Sequence, residues 1–205
     1  MANRVLKSMQ SNSTVGFGVI EVEKLRDLQP AFGVLAELLD FPEENISDEK
    51  VLELFPKIPE KAEVTSACSK LSEMALTSLQ EHYVELFELN KSLTLYMTYY
   101  KLTDSRERGT VMAKLKLLYE MFGLSLDNAE LTDYLPTMLE FLAMLDTSDL
   151  MEGSSALTDL EFLFNVLEDG TYEVLQKSSD LTDEPYVALL RVTRDLLKKC
   201  IKNVA

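Results

Sequence analysis

Four stretches decide how this chain folds: EHYVELFELN at residues 81–90, SLTLYMTYY at 92–100, DSRERGTVMAKLKLLYEMFG at 104–123 and ELTDYLPTMLEFLAML at 130–145. In the first, Tyr83, Leu86 and Phe87 share a helical face at i, i+3 and i+4, and Asn90 offers a stop. The second satisfies two periods at once. Leu93, Leu95 and Met97 alternate as in a strand, whereas Tyr96, Tyr99 and Tyr100 fall on one helical stripe. The third begins with Asp104 as N-cap and Glu107 three residues later, the spacing of a capping box. Val111, Leu115, Leu118 and Phe122 form its inner stripe, and Gly123 can turn left-handed to end it. The fourth reads as a helix capped by Asp133, with Pro136 in the first turn and Leu135, Leu139, Leu142 and Leu145 on the apolar face. Asp104, Glu107, Glu130 and Asp133 thus put four carboxylates near two helix starts.

Outward from this centre the periodicity stays helical. A helix is predicted from Gln29 to Asp40 with Pro30 in its first turn, ended by Phe41 and Pro42. A short one follows from Asp48 to Phe55, then a turn between Pro56 and Pro59, then a long helix from Glu60 to Asn90. Residues 146–153 are polar and read as a loop. Leu157, Leu160, Leu163, Phe164 and Leu167 mark a helix that Gly170 ends, with one more turn at Tyr172–Gln176 and a connector at Ser178–Thr182. A last amphipathic helix spans Glu184 to Asn203, its Lys198, Lys199 and Lys202 favouring the negative end of the helix dipole. Residues 1–20 are small and polar and read as a flexible arm. With 6 Pro, 7 Gly and 46% apolar residues among 205, the expectation is a single all-α domain over residues 21–205.

Composition removes several classes of function. The formal charge of −15 disfavours nucleic acid, where affinity comes mainly from neutralising phosphates, and suits a basic partner. No run approaches the roughly 18 apolar residues of a membrane span, and no secretory signal stands at the N-terminus, so a cytoplasmic protein without membrane insertion is expected. Cys68 and Cys200 match no metal spacing and read as reduced thiols. Gly16-Phe17-Gly18 lacks the further glycines and the Lys-Ser or Lys-Thr pair of a phosphate loop. His82, the one histidine, sits in no Glu-x-x-His pattern and reads as a rim residue. With no nucleophile and base in a recognisable arrangement, the reading is a protein that is not an enzyme and that needs no metal or cofactor of its own.

The order Tyr83, Leu86, Phe87, then Ser92 and Leu93, then DSRERG, then Tyr119 and Gly123, then EL-DYLP--LEFLA resembles the nitrate reductase molybdenum-cofactor assembly chaperones of the NarJ type. The LLDFP at residues 38–42 is similar to the end of that family's first helix. The match runs over residues 25–145, and the wider relatives are the TorD and DmsD type chaperones. The resemblance implies a helical bundle that binds the catalytic (alpha) subunit of a respiratory nitrate reductase, including its N-terminal segment, and supports insertion of the molybdenum cofactor before membrane attachment. It admits contacts with molybdenum-cofactor biosynthesis proteins and leaves the oligomeric state open. A chaperone of the same fold for an N-oxide or sulfoxide reductase is the alternative, and a helical enzyme or nucleotide-binding protein a second. In the family pattern the charged turn and the Asp-x-Leu-Pro turn belong to the recognition region, which here means Asp104, Arg106, Arg108, Gly109, Asp133, Leu135, Pro136, Glu140 and Phe141. This chain has Thr132 where an ELPD-like order is more usual. Tyr83 and Tyr134 join the client-binding candidates because aromatic rings offer large contact area with a polar tip. Arg106 and Arg108 can pair with carboxylates across the fold, and Gly109 would let another backbone approach closely.

Overall fold

The first core helix begins two turns before Pro30. In a computed structural model, which describes residues 19–125, 130–148, 150 and 154–202, α1 runs Val22–Leu39 with Pro30 inside it. The missing N–H of Pro30 was expected to sit harmlessly in a first turn; it falls mid-helix instead. Burial of Leu25, Leu28, Phe32, Leu35 and Leu39 along one face offsets that, each contributing about 1.5–3 kcal/mol. The start of α1 is held from outside, since Glu21 N–H donates to the Cys200 carbonyl at 2.8 Å. Val19–Ile20 (β1) and Ile201–Lys202 (β2) form a two-residue antiparallel ladder there, a pairing too short to leave a periodic signal. Of the arm expected over residues 1–20, residues 1–18 lie outside the described residues.

The helices then follow as α2 Asp48–Leu54, α3 Lys61–Ser72, α4 Leu76–Tyr83, α5 Ser105–Met121, α6 Leu135–Met144, α7 Ser155–Lys177 and α8 Pro185–Lys199. The expectation of an all-α architecture holds. The long helix from Glu60 to Asn90 does not: Ala75 is extended at ψ 148°, so α3 and α4 are separate. The last turn beyond Tyr83 widens to a π-helix over Val84–Glu88, which keeps Leu86 and Phe87 buried. SLTLYMTYY resolves its ambiguity as neither strand nor helix. It is a string of turns that buries Leu93, Leu95 and Met97 and meets the chain again at one antiparallel bridge, Tyr96 to Tyr134.

Gly170 does not end a helix, and α7 passes through it to Lys177. A Cβ there would stand 2.6 Å from Cβ and Sδ of Met97 and 2.7 Å from its Cα, so the glycine permits close approach of α7 to the 92–100 segment. Gly123, by contrast, has φ 76° and closes α5 as expected. The final helix stops at Lys199, because the chain must straighten to pair as β2.

α1 packs most extensively on α6, and α8 lies against α3, α7 and α1. The first of these contacts is pinned by polar bonds. Gln29 Nε2 donates to the carbonyls of Leu142 at 2.9 Å and Leu145 at 2.6 Å, satisfying the free C-terminal acceptors of α6, and Arg26 Nε donates to Thr147 Oγ1 at 2.9 Å. At the opposite side, Glu184 caps α8 by accepting from Tyr186 N–H and also receives His82 Nε2 at 3.0 Å, which ties α4 to α8.

Candidate functional site

Asp133 is fully buried and does not cap α6. The reason is partly written in the sequence. A cap at Asp133 would accept from the second or third N–H that follows it, but residue 136 is proline and Leu135 N–H donates to the Leu95 carbonyl at 2.9 Å. Tyr134 is therefore the N-cap residue, without a side-chain cap bond. The Asp133 carboxylate turns inward, where Oδ2 accepts from Thr98 N–H at 3.3 Å, from the Thr98 hydroxyl, and from Arg108 Nη2 at 3.2 Å. Arg108 Nε in turn donates to Thr98 Oγ1 at 3.0 Å. Met97 N–H donates to the Asp133 carbonyl at 2.8 Å, so one residue joins the tyrosine-rich segment, α5 and α6. A buried carboxylate is tolerated only with this density of donors.

A second chain of bonds runs the other way. Tyr134 OH donates to Asp40 Oδ1 at 2.9 Å, and the Tyr83 hydroxyl lies 2.7 Å from that of Tyr134 and 3.0 Å from the Leu39 carbonyl. Burial drives the Tyr134 phenol far above the ordinary tyrosine range, with Tyr83 and Asp40 adding to the effect, so it stays a neutral donor. Burial also pushes Tyr96 up to about 12, helped by Glu130, whose Oε1 accepts from Tyr96 OH at 3.0 Å. Tyr119 OH donates to the Thr132 carbonyl at 2.8 Å and Thr132 Oγ1 to the Met112 carbonyl at 2.9 Å, locking the 130–134 turn onto α5.

Asp40 is where this frame reaches an opening. Around it, the C-terminal end of α1 and the turn after it enclose a groove of about 550 Å³ lined by Val34, Glu37, Leu38, Asp40, Phe41, Pro42, Glu43, Glu44, Asn45, Ile46, Ser47 and Val51. Among the described residues its lining carries four carboxylates and no cation, above an apolar floor. The Phe41 ring is 39% exposed and meets Tyr83 edge-on at 5.7 Å, so the groove rests directly on the tyrosine chain. The negative end of the α1 dipole points here as well. An apolar trough with an acidic rim complements the chemistry of a basic amphipathic segment.

The structure sorts the eleven client-binding candidates into two sets. Tyr83, Asp133, Tyr134, Leu135, Pro136 and Phe141 are buried. Asp104, Arg106, Gly109 and Glu140 are exposed, and Arg108 is half-buried on Asp133. Tyr134, a client-binding candidate for its ring and polar tip, is inside because its hydroxyl finds Asp40 and Tyr83. Asp104 caps α5 as expected, accepting from Arg106 N–H at 2.7 Å and Glu107 N–H at 3.3 Å. Among the described residues nothing beyond its own helix turn lies within 4 Å of a Cβ placed on Gly109, so none of them uses it for close approach. Sequence reasoning missed Thr98, Glu37, Asp40, Glu43 and Glu44. The signal for the groove was present in LLDFPEEN, where an aromatic and a proline end a helix and two glutamates follow; for Thr98 there was none.

The family model described as nitrate reductase delta subunit matches residues 48–199. Among similar proteins, the Bacillus subtilis protein named probable nitrate reductase molybdenum cofactor assembly chaperone NarJ is 31% identical over 177 residues, 81% of this chain and 87% of that one. The Escherichia coli (strain K12) protein named nitrate reductase molybdenum cofactor assembly chaperone NarJ is 39% identical over 83 residues, 40% of this chain and 35% of that one. Its relative named NarW, a probable chaperone of the same description, is 31% identical over 122 residues, 58% of this chain and 52% of that one.

Proposed function

Because this chain belongs to the nitrate reductase delta subunit family, we propose that it is a dedicated assembly chaperone and not an enzyme. It binds the catalytic subunit of a respiratory nitrate reductase and keeps it competent to receive the molybdenum cofactor before the complex reaches the membrane. The names of the Bacillus and Escherichia relatives support this reading. Among the described residues no helix is long and apolar enough to cross a membrane. We assign the protein to the cytoplasm, with residues 21–205 as one working domain. Cofactor delivery further calls for contact with the proteins that make the cofactor.

The observation that carries the binding mode is the acid-rimmed groove after α1. In this reading it takes the N-terminal segment of the catalytic subunit, with Phe41, Val34 and Ile46 burying apolar side chains and Glu43, Glu44 and Asp40 meeting cations. Exposed Asp104, Arg106 and Glu140 are open to further client contact; the buried candidates act by holding the frame beneath. Calorimetric titration with a synthetic peptide of the cognate subunit's N-terminal residues, beside a scrambled peptide of equal charge, tests it. One-site binding of the first and none of the second is expected. Failure of the folded protein to bind would transfer the client role to another molybdoenzyme or to a site outside that segment.

A further inference from the structure

On the side of the molecule formed by the 91–105 segment and the C-terminal end of α7, a second opening has the opposite electrostatics. A pocket of about 510 Å³ is lined by Lys91, Tyr99, Arg108, Lys177 and the hydroxyl residues between them. Acidic residues outnumber basic ones 35 to 20 in this chain, yet among the described residues the lining holds three cations and no carboxylate. Composition alone would deposit the reverse. Among the described residues neither Lys91 nor Lys177 has a carboxylate partner, and Lys177 Nζ instead stands 5.7 Å from the centroid of the Tyr100 ring. Lys101, on the same segment, is already paired with Asp169 at 2.5 Å and is not part of the lining.

Arg108 is positioned here by the frame. Its Nε is held by Thr98 and its Nη2 by the buried Asp133, which leaves the two N–H groups of Nη1 without a partner among the described residues. A guanidinium fixed on one edge and open on the other binds an anion with little further loss of side-chain freedom. The hydroxyls of Ser92, Thr103 and Ser105 line the same pocket and are without hydrogen-bond partners among the described residues. Ser105 opens α5, so the positive end of that helix adds to the attraction, while the Asp104 carboxylate is engaged by Arg106 and Glu107 N–H groups. The Tyr99 ring is 42% exposed at the rim, standing edge-on to Tyr100 at 5.6 Å, and offers a face for stacking. The volume falls in the range of small-molecule sites.

We propose that this pocket binds a phosphorylated small molecule carrying an aromatic ring, its phosphates on Lys91, Lys177 and Arg108 and its ring on Tyr99. The site lacks the glycines of a phosphate loop, so side chains in place of backbone N–H groups supply the donors. It stands apart from the acidic groove and does not depend on the client reading.

The test uses the full chain, at about 50 mM salt to keep electrostatic attraction measurable. Calorimetry with ADP, inorganic pyrophosphate and adenosine separates phosphate from ring, and an Asp/Glu-rich peptide tests the competing occupant. The proposal expects ADP to bind more tightly than pyrophosphate and adenosine not to bind measurably. Lys91→Ala with Lys177→Ala should weaken ADP at least tenfold, and Tyr99→Ala should bring ADP down to the pyrophosphate level; all three side chains are exposed, so melting temperature should hold. Absence of ADP binding, ADP binding that survives the double lysine variant, pyrophosphate binding as tightly as ADP, or displacement of ADP by the acidic peptide at lower concentration would each overturn it. Binding of the client peptide, read separately, should be unaffected by these variants.

Discussion

Asp133 and Glu43 are both carboxylates, and their surroundings are opposite. Asp133 is sealed under donors from Thr98 and Arg108, whereas Glu43 and Glu44 stand exposed on the rim of a groove. The two are connected through Tyr134, Tyr83 and Asp40, so the buried frame sets the position of the open surface. The residues that stand out as a motif hold the fold. The groove carboxylates, which we propose meet a partner, stand out only as charge. A carboxylate without solvent must find donors in the protein, which constrains many neighbours; a carboxylate in water constrains none.

The largest expected effect follows from removing the buried member. Asp133→Ala leaves Arg108 without its buried partner and Thr98 N–H without an acceptor, and should lower stability by about 3 kcal/mol in urea unfolding, the lower end for a buried pair because Arg108 keeps some solvent. A loss under about 1 kcal/mol would mean that water replaces the carboxylate and that the frame is looser than drawn. Peptide affinity of the folded fraction should fall much less than stability.

Gly170→Ala comes next. Its methyl would meet Met97 main-chain and side-chain atoms at 2.6–2.7 Å, so α7 or the 92–100 segment must shift, at about 2 kcal/mol by thermal unfolding. A variant as stable as the parent would show that the segment yields freely and is no part of the rigid frame. Tyr134→Phe sharpens the link between the two regions. Losing the hydroxyl between Asp40 and Tyr83 should reduce stability by about 1 kcal/mol and weaken peptide binding severalfold, because Asp40 on the groove wall loses its anchor. Unchanged peptide binding with the expected loss of stability would uncouple groove from frame.

Much of this frame was legible in the sequence, and its limits are instructive. Asp104 and Gly123 announced the ends of α5 because capping and left-handed turns use local chemistry. The 92–100 segment was ambiguous because its Leu and Met side chains are buried by other elements and not by a period of its own. Pro30 and Gly170 misled for one reason: each looked like a helix boundary, and each sits inside a helix whose tertiary contacts outweigh its propensity. The Asp133 cap was readable as false from Pro136, but its true partner Thr98 lies 35 residues away and needed the fold. The groove needed it too, since Val34, Phe41 and Val51 converge only when α1 and α2 meet.

The most direct test reverses charge on the open side alone. In Glu43→Lys with Glu44→Lys, both side chains are exposed and neither belongs to the buried network, so stability should change by less than about 0.5 kcal/mol. Calorimetric titration with the N-terminal peptide of the catalytic subunit should nevertheless show affinity reduced at least tenfold. Affinity equal to the parent's, in a protein of unchanged melting temperature, would contradict the assignment of this groove as the client site and return that role to the exposed residues of the charged turn.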